Sequence, residues 1–357
     1  MDLLTGAPLG VDLVVFVACA VVIWVAGIAL SRTTDVLSER LHIGQALGGL
    51  ILLALATNLP EIAITVSAAT SGQLDIAVSN ILGGIAIQTV VLVALDAFGV
   101  RARRPLTYQA ASLTLVLEGL LVVAVLATVV MGTQLPDTLV LARLSPDVVL
   151  IAVVWAAGLL LTQRAGRGLP WAGSGNAPDS EAAPRGTRRR HRETVAAGQG
   201  IGTGRAASEF AAAAVATLVA GALLEQSGSG AADHVGLSGV LFGATVLAAA
   251  TSLPELSTGL TSTRQADYQL AVGDIFGGNA FLPVLFLLAT VLSGKAVLPH
   301  AHPSDLYLTG LGGLLTIVYC AGLVFRPSRE HARMGIDSTA VLVLYVLGVA
   351  GLAALPS

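Results

Sequence analysis

Apolar residues run along this chain in long Leu-, Val- and Ala-rich blocks, with no alternation of period two, separated by short polar intervals. A helix needs about 20 apolar residues to cross a bilayer, whereas membrane strands alternate in runs of about ten. On that ruler ten helical spans are predicted, over 11–31, 43–70, 74–97, 108–131, 147–163, 206–225, 235–263, 267–292, 305–325 and 338–355. The expected class is an all-α polytopic membrane protein. One polar stretch is long: 164–205 is rich in Gly, Pro and Ser, carries eight arginines, and divides the spans five and five. The expected organisation is a first five-helix unit over 1–163, an arginine-rich loop over 164–205 and a second five-helix unit over 206–357.

Composition agrees with that pattern. Hydrophobic residues make up 55% of the 357 and charged residues 11%, with mean hydropathy +0.82. Soluble domains carry about 25% charge, so a soluble enzyme, a disordered tail and a nucleic-acid binder are excluded. A net charge of −3 predicts no polyanionic partner, and no obligate protein partner is evident; the lipid bilayer is the expected surrounding. Cys19 and Cys320 sit inside apolar runs, which points to no disulfide framework. Asp2 and Asp12 flank the start and the first cation, Arg32, follows the first apolar run, so no cleaved signal peptide is expected.

The cations orient the chain. Cytoplasmic loops are enriched in Lys and Arg, and of the 19 cations only Arg143 and Lys295 fall outside one alternating set of loops. The expected topology therefore has both termini outside and the central loop cytoplasmic, in the cell membrane. With an odd number of spans in each unit, homologous units would be inverted relative to each other.

Homology between the units is visible at an offset of 194 residues. From Ala56 the chain reads ATNLPEIAITVSAATSGQLDIAVSNILGG, and from Ala250 it reads ATSLPELSTGLTSTRQADYQLAVGDIFGG, with ten of 29 positions identical and no gap. Pro60 and Pro254 lack an N–H, and each ring collides with the carbonyl four residues back, so a break is expected that frees the carbonyls of Ala56 and Ala250. Freed carbonyls at membrane depth persist only in buried or wet surroundings. Thr57 and Asn58 share a helical face with Glu61, and Thr251 and Ser252 share one with Glu255. This is an all-oxygen set, suited to a hard cation such as Ca2+, and the six histidines all lie in loops or at span ends. Carboxylates inside a membrane cost about 2.5–3.5 kcal/mol each and are functional by default. The Gly83-Gly84 and Gly277-Gly278 pairs fall on the next span of each unit, with Ser79, Asn80 and Gln88 near the first, and Asp274 and Asn279 near the second. Asn80 and Asp274 are equivalent and are expected near the cavity, Asp274 as a third carboxylate. Glu118, in the middle of an apolar run, has no counterpart and is a candidate accessory proton site.

At these residues the sequence resembles the cation/calcium exchanger superfamily, the Na+/Ca2+ and H+/Ca2+ antiporters, whose two repeats carry Thr-Ser-x-Pro-Glu followed by Gly-Asn and Gly-Ser-Asn regions. The resemblance implies ten helices as two inverted five-helix repeats with broken helices at the ion site. It implies an ion held by Glu61 and Glu255, with Thr57, Thr251, Ser252 and the carbonyls of Ala56 and Ala250 as further ligands, and the spans 11–31 and 206–225 sliding as gates. Departures are visible too. Asn58 replaces the usual Ser, Gly84 and Gly278 stand where Ser is common, Ile85 replaces Asn, and a later acid or amide position is Gln88 in one unit and Leu282 in the other. The function expected is secondary antiport of Ca2+ against Na+ or H+, with no enzyme activity and no cofactor. The alternatives are a degenerate member with altered cation selectivity and a cation channel.

Overall fold

The computed structural model describes residues 7–40, 55–100, 104–110, 112–166, 168, 202–236, 242–331 and 333–353. Most of the expected central loop (169–201), the first part of the second expected span (43–54) and 237–241 of the seventh lie outside them. Among the described residues the longer helices are α1 (Leu9–Arg40), α2 (Leu59–Ser71), α3 (Leu74–Ala94), α4 (Leu113–Gly132), α5 (Pro146–Ala165), α6 (Thr203–Val235), α7 (Leu253–Arg264), α8 (Tyr268–Phe281), α9 (Pro303–Phe325) and α10 (Ile336–Ala353), with short ones at Leu106–Ala110 and Ala248–Thr251. α3 continues through a π-helical turn, Leu95–Gly99, and α8 through a tight turn at Leu282–Val284 into a helix over Leu285–Ser293. Among the described residues, seven helices are long and apolar enough to cross a membrane, and Ile336–Leu352 is a shorter apolar helix. The remaining two segments, α2 and α7, follow interruptions of the chain.

Those interruptions have a local cause. Pro60 and Pro254 occupy the first turns of α2 and α7, where a missing N–H costs nothing and a fixed φ favours the helix start. The residue before each helix, Asn58 or Ser252, takes almost the same non-helical conformation, with φ −86° and ψ 14° in one and φ −81° and ψ 6° in the other. At the far end of α2, Gly72 closes the helix in the left-handed region at φ 82°, and Ala266, 194 residues on, also has positive φ, at 60°.

The repetition reaches well beyond the motif. α1 and α6, α2 and α7, and α3 and α8 each begin 194 residues apart; α4 and α9, and α5 and α10, each begin 190 apart. Side-chain packing repeats as well. The place for a Cβ on Gly132 is taken by Asp147, and on Gly322 by Asp337; on Gly158 it is taken by Leu121, and on Gly348 by Leu311. Fourth and fifth helices therefore dock through the same small-residue contacts in both halves. The four-residue difference falls in the connection between third and fourth helices.

Burial sorts the helices into centre and rim. The spans containing α3 and α8 are 72% and 61% buried, whereas α5 is 17% buried. The largest apolar cluster joins α3, α4, α8 and α9, with Leu82, Ile85, Phe276, Phe286 and Tyr319 fully covered. α1 and α6 run antiparallel against each other: Asp12 of α1 sits at Gly230 and His234 of α6, while Val36 and Leu37 pack on Ala206. α1 also packs on α7, and α6 on α2.

One buried carboxylate ties loops to helices. Asp96 Oδ1 accepts the Leu106 N–H, and Oδ2 accepts the Gly335 N–H and the Ser338 hydroxyl, all at 2.7 Å. Gly335 is opposite Glu330 in a two-residue antiparallel hairpin just before α10. Hydrogen bonds to a charged acceptor contribute about 1.5–3 kcal/mol each, and stranded buried donors add to the loss. Asp96→Ala is therefore expected to cost about 3–5 kcal/mol and Asp96→Asn distinctly less, read as thermal unfolding of the detergent-purified protein.

Candidate functional site

The two interruptions meet in the interior. Glu61 and Glu255 are the third residues of α2 and α7, where a helix N-terminus presents its positive dipole end. Both are essentially without solvent exposure, as are Thr57, Asn58, Thr251 and Ser252. Ala56 and Ala250 are buried one residue further back. Neither backbone carbonyl can receive the normal helical donor four residues on, because that position is a proline.

The threonines are exchanged between the halves. Thr251, from the second motif, lies beside the Glu61 carboxylate while its hydroxyl donates to the Ala248 carbonyl at 3.1 Å, and Thr57, from the first, lies beside the carboxylate of Glu255. Gln88 of α3 donates from Nε2 to Glu61 Oε1 at 3.4 Å. Glu61 Oε2 and both carboxylate oxygens of Glu255 have no partner with good hydrogen-bond geometry. Glu255 has Glu61 and Asp274 as its electrostatic neighbours, both acids. Buried like charges with open oxygens need a cation or protons between them.

Asp274 comes to this group through Thr258, one turn beyond Glu255, whose hydroxyl donates to Asp274 Oδ2 at 2.9 Å. Asn80 is equally buried, but neither its Nδ2 nor its Oδ1 is hydrogen-bonded. Two other polar residues near the glycine pairs face elsewhere. Ser79 donates to Asp305 Oδ1 of α9 at 2.6 Å, and Asn279 donates to Thr89 at 3.0 Å. Ser252 donates to the Ala248 carbonyl at 2.7 Å.

The glycines act as clearance. A Cβ on Gly278 would come 3.2 Å from Asn58 Nδ2 and 3.6 Å from Gln88 Oε1; the equivalent Gly84 faces Leu282 Cδ1 at 3.6 Å. Both halves thus use the same contact, polar on one side and hydrocarbon on the other. Gly27 of α1 packs on Pro254, with 3.0 Å from an added Cβ to Pro254 Cβ, and Gly221 of α6 packs on Pro60 at 3.3 Å. Thr258 and these two glycines were not singled out from the sequence. Gly27 and Gly221 are 194 residues apart, so the motif offset extended towards the start would have paired them, and Thr258 follows Glu255 at helical spacing.

Known proteins resemble this chain in sequence or in fold. The chain is 27% identical over 287 residues to the inner membrane protein YrbG of Escherichia coli (strain K12), covering 80% of each. The crystal structure of the H+/Ca2+ exchanger CAX superposes with a TM-score of 0.65 at 13% identity, covering 97% of this chain and 82% of that one. The sodium-calcium exchanger NCX_Mj superposes with a TM-score of 0.59 at 14% identity, covering 97% and 99%. These two structures are alike in fold. The sequence pattern of the family described as sodium/calcium exchanger protein matches residues 11–162 and 207–353, which takes in both motifs and nearly every described helix. By that match the chain belongs to the sodium/calcium exchanger family, and it is a membrane transporter of the cation/calcium exchanger superfamily.

Proposed function

We propose that this protein is a secondary antiporter that exchanges Ca2+ for Na+ or H+ by alternating access, with the ion held between Glu61 and Glu255. The burial of Glu61 and Glu255 at the two motif interruptions, with three of their four carboxylate oxygens unpartnered and each beside a threonine of the other motif, carries this reading. It builds one site from two repeats, so a cation bound there is shared by both halves. One Ca2+ or two monovalent cations neutralise the two carboxylates. An empty dianionic site is costly to enclose, and that cost makes exchange obligatory. Thr57, Asn58, Thr251, Ser252, the Ala56 and Ala250 carbonyls and Gln88 complete the ligand set, with Asp274 as a third acid and Asn80 as its counterpart. H+/Ca2+ and Na+/Ca2+ exchangers share the fold, which supports either coupling ion.

In this reading the chain spans the membrane ten times, as two inverted five-helix units over 1–163 and 206–357. The arginine-rich loop 164–205 is cytoplasmic and both termini are outside, in the cell membrane. Support comes from the five paired helix starts, the antiparallel contact of α1 with α6, and the distribution of cations. α1 and α6 act as the gates. Each crosses the other half's proline through a glycine, a smooth contact over which a helix can shift.

Three outcomes test this. In everted vesicles, radiolabelled Ca2+ uptake is expected under an imposed Na+ or pH gradient, and the gradient that drives it names the counter-ion. Removing one charge of a buried group costs about 3–5 kcal/mol, so Glu61→Gln or Glu255→Gln is expected to lower uptake by about 100-fold or more while the protein still inserts. Persistent exchange in the double variant sinks the assignment. Gly27→Leu overpacks the contact with Pro254, at about 1–3 kcal/mol, and is expected to slow exchange about tenfold or more with divalent affinity nearly unchanged.

A further inference from the structure

Among the helical acids that the site does not use, one lies in the middle of an apolar run. Glu118 lies in the second turn of α4, and its Oε2 is buried without a hydrogen-bond partner. A Cβ on Gly273 of α8 would stand 3.3 Å from that oxygen, so the carboxyl rests on the α8 backbone.

The other half shows what this contact looks like when it is closed. Ser79 of α3 is the residue equivalent to Gly273. Its hydroxyl donates to Asp305 Oδ1 of α9 at 2.6 Å, and the His302 N–H donates to Oδ2 at 2.7 Å. There a fourth-helix carboxylate receives two donors. Between α4 and α8 the serine is replaced by glycine and the hydroxyl is lost.

Nor does a charge on the neighbouring helices replace it. From α8, Asp274 follows Gly273 but is bonded to Thr258. From α9, Cys320 packs against Gly119, together with Phe276 of α8. α5 meets α4 through Leu121 and Gly158, and its cation near this end, Arg164, is exposed. An acid held this way is compatible with the membrane interior as the neutral carboxyl, whereas the bare anion is not.

We propose that Glu118 is a proton-binding site of the transporter, separate from Glu61 and Glu255. The carboxyl holds its proton while α4 lies against Gly273. When that contact opens to water the O–H bond breaks, the proton passes to water, and the carboxylate is left hydrated. This rests on the antiport reading, in whose topology the start of α4 faces the cytoplasm, so the proton exchanges on that side and makes transport depend on cytoplasmic pH.

The test is the pH profile of Ca2+ uptake at a fixed Na+ gradient. Glu118→Gln is expected to flatten the profile several-fold, with uptake at its acidic end close to that of the parent. Gly273→Ser restores the donor found at Ser79 and is expected to move the profile towards lower pH, since a donor favours the carboxylate. Gly273→Ala adds the same Cβ without a hydroxyl and is expected to leave the midpoint in place. Superimposable profiles for the parent and Glu118→Gln overturn the proposal, as does an equal shift in both Gly273 variants. Labelling with dicyclohexylcarbodiimide, mapped by mass spectrometry, reads the site without transport. A protonated carboxyl adds across a C=N bond of the reagent and rearranges to a stable N-acylurea. Labelling of Glu118 that declines as pH rises supports the proposal even if the parent moves no divalent ion; labelling that is absent or independent of pH overturns it. Monodisperse elution of each variant shows that it has folded.

Discussion

Two carboxylates buried side by side in a membrane protein, with carboxylate oxygens left open, set the terms for the rest of this structure. Glu61 and Glu255 repel each other, and Asp274 adds a further acid. Their environment offers helix N-termini, hydroxyls and an amide, which favour negative charge without cancelling it. Cancellation has to come from outside. In the antiport reading proposed above, the transported cation supplies it.

The scaffold meets that requirement by crossing its two halves. Each motif glutamate lies beside a threonine of the other motif, and each motif proline finds its packing partner on the first long helix of the other half. Glycine is needed at Gly27 and Gly221 because backbone must approach a proline ring closely. Gly278 has a related role, leaving space for Asn58 and Gln88 beside the site. The halves differ where chemistry is asymmetric: Gln88 is set against Leu282, and Ser79 against Gly273. Ser79 and Gly273 both lie in unbroken helix and differ only in the hydroxyl offered, whereas Gln88 lies in unbroken helix and Leu282 opens a tight turn, so there the helix path changes together with the polar atoms.

Several elements were legible before any coordinates. Long apolar blocks without a period of two specify helices, and a proline in the middle of one specifies an interruption, because a missing donor and a steric clash act locally. The duplicated Thr-x-Leu-Pro-Glu block marked Glu61 and Glu255, since carboxylates are too costly in apolar spans to be incidental. Asn80 and Asp274 were paired by the offset, yet Asp274 joins the acids through Thr258 while Asn80 has no hydrogen bond. The 190-residue register of the last two helices in each half is carried by only a few small residues, such as Gly132 and Gly322, too sparse to stand out in a glycine-rich chain.

By itself the sequence determined the helical class, the motif interruptions and the burial of the two motif glutamates, because hydropathy, helix breaking and the cost of buried charge depend on residues near one another in the chain. Tertiary structure alone decided the partners: Thr251 at Glu61, Pro254 under Gly27, Glu118 on Gly273. Such contacts join residues more than 150 positions apart, and they depend on how helices cross and rotate, which no local pattern encodes.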